Sequence, residues 1–298
     1  MKKRCFKQLV VVFCMVLLAS YGNAEGILKN FSLRLSIGMG NTMGGDLKDV
    51  IDDMNTNLTR IASMAQVSLQ GGLENVNWGP DFEGEILYKL SKNFAMGLGF
   101  VYMTRKKDSS IGLLIDEDNR ISLTWEPEYS AFPINVSAYY FIPVNDKIQA
   151  YVKAGTGYYF AKMDFRVREE EHTYYYDDWN QDVATAKDKG FGFHGGFGIE
   201  YNLSNKISIF LEGTGKYVNF NNWDVKNTNT SKYYSPMEVE GTLWVVEEYD
   251  PDTDQYYTSL QLLDETPSGP YIRNPRKADI SFSGISLRIG IKIRLGKK

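Results

Sequence analysis

His172 and His194 are the only imidazoles in the 298 residues, and neither belongs to a GxSxG, HExxH or glycine-rich phosphate-binding pattern. His172 stands in the stretch REEEHTYYYDDWNQD, where an ordinary surface histidine is the plainer reading and a hydrolytic one the alternative. Two histidines are little material for a metal centre. Asp250, Asp252 and Asp254 alternate as in calcium loops, but Gln255 occupies the position where an EF-hand needs glycine. Gln261 occupies that of the bidentate glutamate, so a solvated acidic turn is expected. The reading is therefore of a non-enzymatic chain with no cofactor and no metal.

The other charged residues carry a pattern. In SLRIGIKIRL (286–295), Leu287, Ile289, Ile291, Ile293 and Leu295 alternate with Arg288, Gly290, Lys292 and Arg294. A strand would place the aliphatics on one face and the cations on the other. A soluble sheet would turn the aliphatics inward. A membrane barrel would turn them to lipid and enclose the charges.

Both ends of the chain bear on that choice. MKKRCFKQLVVVFCMVLLASYGNA begins with Lys2, Lys3, Arg4 and Lys7, continues with an apolar run to Ala19, and offers Gly22 and Ala24 to a signal peptidase. Residues 1–24 read as a cleaved secretory signal, and residues 25–298 as the mature domain. Both cysteines, Cys5 and Cys14, fall in the leader, so the mature fold must hold without a disulfide. Removing the leader's four cations leaves 29 Lys and Arg against 37 Asp and Glu, a net charge of −8 that speaks against nucleic-acid binding. The 20 Tyr, 16 Phe and 27 Gly suit an aromatic-rich β protein. No other stretch is apolar enough for a membrane helix, so membrane insertion would have to use strands.

Period-two patterning recurs at 31–40, 81–91, 94–104, 131–143, 147–160, 190–203, 206–218 and 286–295. Tight turns join these strands at one end, while long segments (41–80, 105–130, 161–189 and 219–279) join them at the other. That asymmetry predicts an all-β fold: an eight-stranded antiparallel up-and-down transmembrane β-barrel with long extracellular loops. The inward faces would then form a polar network of Arg34, Glu83, Glu85, Lys89, Lys153, His194, Glu200, Glu212, Lys216, Arg288, Lys292 and Arg294, where opposite charges pair and interleaved glycines make room. In a soluble core the same inventory would be strongly destabilising.

With those residues in view, RIGIKIRL resembles the assembly signal on the last strand of bacterial outer-membrane proteins, through Arg288, Gly290, Ile293 and Leu295. Members of that group often end on an aromatic residue, whereas here Gly296, Lys297 and Lys298 follow. In layout the chain is similar to the small OmpA transmembrane-domain, OmpX and OmpW barrels. The resemblance implies a bacterial outer-membrane location, with lipid and lipopolysaccharide around the barrel and recognition by the barrel-assembly machinery. A monomer is expected, and no peptidoglycan-binding domain is expected after the last strand.

Activity would then reside in the loops. GDLKDVIDDMNTNLTRIASMAQ has Leu47, Val50, Ile51, Met54, Leu58, Ile61 and Ala65 at helical spacing behind an Asp46 cap, which predicts a short amphipathic helix that plugs the barrel mouth, lies on the membrane or packs on neighbouring loops. TLWVVEEYDPDTDQYYTSLQLL predicts a projecting hairpin turning at Asp250-Pro251-Asp252, which would make a ten-stranded barrel if it entered the bilayer. Tyr174, Tyr175, Tyr176, Trp179, Tyr256 and Tyr257 offer ring surface for a surface ligand or host molecule, or alternatively an aromatic belt at headgroup level. The layout fits a structural or adhesin-like role, while the OmpW-type resemblance allows a narrow conduit for ions or a small hydrophobic molecule and the wider group of outer-membrane barrels allows a lipid A-modifying enzyme as a third reading.

Overall fold

A computed structural model describes residues 28–116, 119–251 and 254–296. The leader lies outside them, as do Asp252 of the expected turn and the terminal lysines. The chain begins with β1 (Phe31–Asn41), α1 (Asp46–Ala65), β2 (Ser68–Gly72), β3 (Trp78–Lys89), β4 (Phe94–Lys106) and β5 (Ser109–Leu114). Three long strands follow: β6 (Arg120–Pro143), β7 (Ile148–His172) and β8 (Asp177–Asn202). Next come β9 (Ile207–Tyr217), β10 (Asn219–Phe220), β11 (Asp224–Ser231), β12 (Met237–Asp250) and β13 (Gln255–Leu263). The chain closes with β14 (Ile272–Lys277), β15 (Ile280–Ser281) and β16 (Gly284–Arg294).

Eight strands close on themselves in the order β1, β3, β4, β6, β7, β8, β9, β16, each antiparallel to its neighbours. Closure satisfies every ladder and removes the open edges that lipid could not solvate. The outward set of β16 (Ile285, Leu287, Ile289, Ile291) is exposed, as are Leu35, Ile37 and Met39 of β1. These side chains form the lipid-facing belt. Aromatic pairs mark its lower rim, with Phe31 on Tyr88 and Phe94 on Tyr140 at ring-centroid separations of 5.0 and 4.9 Å. Tyr158 on Phe191 (4.9 Å), with exposed Tyr217 and Trp78, marks the upper rim.

β6, β7 and β8 run 24 to 26 residues, twice what the bilayer requires, and continue as the centre of a second sheet in the order β2, β5, β6, β7, β8, β11, β12, β13. Along β7 the inward parity is unbroken while its chemistry inverts. Tyr151, Lys153 and Gly157 give way to Ala161, Met163 and Phe165, and the outward set changes from Val152 and Phe160 to Lys162, Asp164 and Arg166. The outside solvent has changed from lipid to water. Above the membrane the sheet therefore curls around an apolar core that includes Met163, Phe165, Val218, Phe220, Trp223, Val245, Ile280 and Phe282.

α1 closes this extracellular cup. It packs on both sheet edges, β2 and β13, and buries Leu47, Val50, Ile51 and Ala62 inward. Asn55 exchanges two 2.8 Å hydrogen bonds with the Leu73 backbone, while Asp53 accepts from the Thr258 amide at 3.1 Å and from its hydroxyl. The helix is thus the keystone of the cup rather than a plug in the lumen. It spans the 20 residues Asp46–Ala65, the stretch in which the helix is expected. Asp46 is its first residue and not its cap: Gly45 occupies that position at φ 60°, where a Cβ would meet the Asp279 carbonyl at 2.4 Å. The Asp46 carboxylate instead receives Arg276 Nη2 and the Asp279 amide, both at 2.6 Å. That hydrogen bond raises the Arg276 pKa, while burial and the neighbouring Asp46 push the Asp279 carboxyl up. The β12–β13 hairpin projects outside and joins the cup, which keeps the ring at eight strands.

Candidate functional site

The barrel register brings opposite charges together. Arg34 faces Glu85 across the β1–β3 ladder, and Arg288 faces Glu212 across β16–β9. Inside the lumen Glu212 is the hub, accepting from Lys153 Nζ at 2.6 Å, from the Tyr151 hydroxyl at 2.9 Å and from Arg34 at 3.1 Å. Arg34 also donates to Tyr151 at 2.5 Å, and its guanidinium lies 3.9 Å from the Phe210 ring centre. Glu85 accepts from the Tyr139 hydroxyl at 2.5 Å.

One layer up, Arg288 donates to Glu83 at 2.5 Å and Arg105 to Asp81 at 2.7 Å, while Ser286 donates its hydroxyl to Asp81. One layer down, Lys292 donates to both Glu200 oxygens at 2.8 and 2.9 Å, and Arg294 reaches Glu200 at 3.3 Å and Asn202 at 2.6 Å. His194 meets the Ser137 hydroxyl at 2.9 Å. The glycines make room for these long side chains: a Cβ at Gly97 would stand 2.2 Å from Glu85 Oε1, and one at Gly155 would stand 2.7 Å from the His194 ring.

Of the residues expected in the lumen, Arg34, Glu83, Glu85, Lys153, His194, Glu200, Glu212, Lys216, Arg288, Lys292 and Arg294 lie there. Lys89 does not. It is exposed at the periplasmic rim, where its strand ends beside the turn to β4 and water solvates the ammonium. Together with Lys29, Lys92, Lys147 and Arg294 it lines a vestibule of about 910 Å³ that reaches inward to Phe141 and Lys292. Sequence reasoning missed Asp81, Arg105, Tyr139 and Tyr151. Tyr139 shares parity with Ser137, and Tyr151 shares parity with Lys153, so counting by twos along β6 and β7 would have found both.

The loop aromatics divide into two groups. Tyr174 and Tyr175, 72 % and 90 % exposed, cap the β7–β8 turn. From Phe160 to that turn, ~3.4 Å per residue gives roughly 45 Å of strand, far above headgroup level. Tyr176 donates to Glu171 at 2.8 Å. Trp179 is half-buried beneath Arg168 at 5.4 Å, and Tyr256 is covered by Arg273 at 3.5 Å, with Tyr257 half-buried beside it. Trp179 and Tyr257 are thus partly packed, whereas Tyr256 stays exposed beside its arginine. His172 sits at the same exposed tip against Asp177.

Residues 52–234, more than half of the chain, match the family model described as the outer membrane protein beta-barrel domain. No curated protein sequence matches the chain. Among solved structures, the chain is similar to Neisserial surface protein A at 9 % identity, covering 89 % of this chain and 97 % of that one, with a TM-score of 0.34. It is likewise similar to the outer membrane protein OprG from Pseudomonas aeruginosa (10 % identity, 88 % and 94 % coverage, TM-score 0.36). A major outer membrane protein from Thermus thermophilus aligns at 10 % identity, 88 % and 98 % coverage and a TM-score of 0.41. The family match and the closed ring with its apolar belt lead to one conclusion: the chain belongs to the outer-membrane β-barrel domain family and resides in the bacterial outer membrane.

Proposed function

We propose that the protein is a closed, monomeric, non-enzymatic barrel that serves as a rigid mount for an extracellular contact surface. The observation that carries this reading is the filled lumen. Side chains from facing strands meet across it through Glu212, and an eight-stranded barrel leaves an interior about as wide as its own side chains. The apolar cup above the ring adds a second seal. On this reading Tyr174, Tyr175 and Tyr176 touch a surface ligand or host molecule, because aromatic rings supply contact area at low entropy cost. Residues 1–24 are removed on export, and Arg288, Gly290, Ile293 and Leu295 are read by the assembly machinery before β16 closes the ring.

The test is single-channel conductance in a planar bilayer, with a heat-dependent gel-mobility shift as proof of folding. Folded protein is expected to be silent. Reproducible conductance steps that change when Lys153 or Lys292 is neutralised would establish a conduit and overturn the proposal. Hydrolysis of lipid A or a peptide that disappears in His172→Ala would overturn its non-enzymatic part. Polar replacements of the three tyrosines are expected to reduce cell attachment, and the mature protein is expected to begin at Glu25.

A further inference from the structure

The charges sealed inside the barrel do not balance. Among the described residues, Arg34, Arg105, Lys153, Lys216, Arg288 and Lys292 have side chains no more than 8 % exposed. The carboxylates sealed with them are Asp81, Glu83, Glu85, Glu200 and Glu212. Six cations thus face five anions. Five of the six donate a hydrogen bond to a carboxylate: Arg34 and Lys153 to Glu212, Arg105 to Asp81, Arg288 to Glu83, and Lys292 to Glu200. Lys216 does not. Its nearest carboxylate oxygen, Asp81 Oδ2, is 4.0 Å away and already accepts from Ser286, and its ammonium instead donates at 2.8 Å to the Met103 thioether, a weak acceptor.

Lys216 lines a cavity of about 20 Å³, room for a single water-sized particle. Arg288, Lys153, His194, Asn135 and Glu83 share its wall. Three of these residues hold a buried polar atom without a partner: Arg288 Nε, His194 Nδ1 and Asn135 Oδ1. Arg288 and His194 can offer N–H groups to the cavity, and Asn135 can do so by turning its amide. Glu83, the one carboxylate on the wall, is occupied by Arg288 at 2.5 Å and faces Lys153 at 3.6 Å. An ammonium sealed in such a site 4.0 Å from its nearest carboxylate oxygen, with no hydrogen bond to it, is unfavourable, and a small anion beside it would restore neutrality.

We infer that this cavity is a binding site for one monatomic anion of chloride size, held by Lys216 with Arg288 and His194 as neighbouring donors. The anion completes the lumen network and stabilises the closed barrel through linkage, since only the folded barrel assembles the site. The purified barrel in detergent, heated at constant pH and ionic strength in sodium chloride, sodium bromide or sodium gluconate, tests this. Thermal conversion is expected about 2–4 °C higher in the saturating halides than in gluconate, and Lys216→Met is expected to abolish the difference. Crystals grown in bromide are expected to show an anomalous peak at the cavity. Equal stability in halide and gluconate would overturn the inference, as would a halide effect unchanged in Lys216→Met. If that variant does not fold, the wild-type bromide crystals decide: a cavity without an anomalous peak overturns the site.

Discussion

The membrane ring and the extracellular cup share three strands yet are built inside out relative to each other. In the ring, β6 and β7 enclose Asn135, Ser137, Tyr139, Tyr151 and Lys153; in the cup the same strands, at the same parity, enclose Tyr129, Ala131, Met163 and Phe165. The backbone geometry does not change at the boundary; the solvent does. Lipid stabilises apolar side chains outside the ring, so its charges are folded inward and must pair. Water stabilises polar side chains outside the cup, so hydrophobic burial again becomes the driving force. The ring is therefore closed by ladders and ion pairs, and the cup by packing and a helix laid across two sheet edges.

Four substitutions separate the two regions, in descending order of effect. Glu212→Ala leaves Arg34 and Lys153 without their shared carboxylate and should cost roughly 3–5 kcal/mol, read as a lower temperature for the gel-mobility conversion, with the cup affected only when the ring opens. Trp223→Ala removes a buried side chain whose indole donates to the Phe220 carbonyl at 3.0 Å, and should cost about 3–5 kcal/mol locally. Its signature is proteolysis between 219 and 282 at an unchanged conversion temperature. A parallel fall in that temperature would show that the two regions unfold as one. Asn55→Ala deletes the double hydrogen bond to Leu73 and should cost about 1–2 kcal/mol, seen as faster amide exchange in α1 and β2 alone. Tyr175→Ala, at the exposed tip, should change stability by less than about 0.5 kcal/mol, which lets any loss of attachment be assigned to contact chemistry.

The same inversion explains where sequence reading stopped. Periodicity ends one strand at 160 and begins the next at 190, because beyond those points the apolar residues change phase. A phase change resembles a strand end when a single environment is assumed. β6, β7 and β8 in fact continue for about another 10 to 13 residues into water. The lumen residues were legible because each sits on the polar parity of a short amphipathic strand. Asp81 and Arg105 were missed at the strand ends, where polar residues are common in loops. Lys89 was over-read because parity gives the face of a strand but not its height.

Alternation over eight segments, with tight turns at one end and long connections at the other, determines the eight strands, and the one-sided connections point to a transmembrane ring with its charges enclosed. The partners within it were decided only by the tertiary structure. Register and barrel shear bring Glu212 to Lys153 and Arg34 from strands far apart in sequence, and leave Lys216 beside a cavity, no closer than 4.0 Å to the Asp81 carboxylate. The cup is tertiary in the same sense. Leu47, Trp223 and Phe282 lie far apart along the chain, and each acquires a core only when the long strands rise between them.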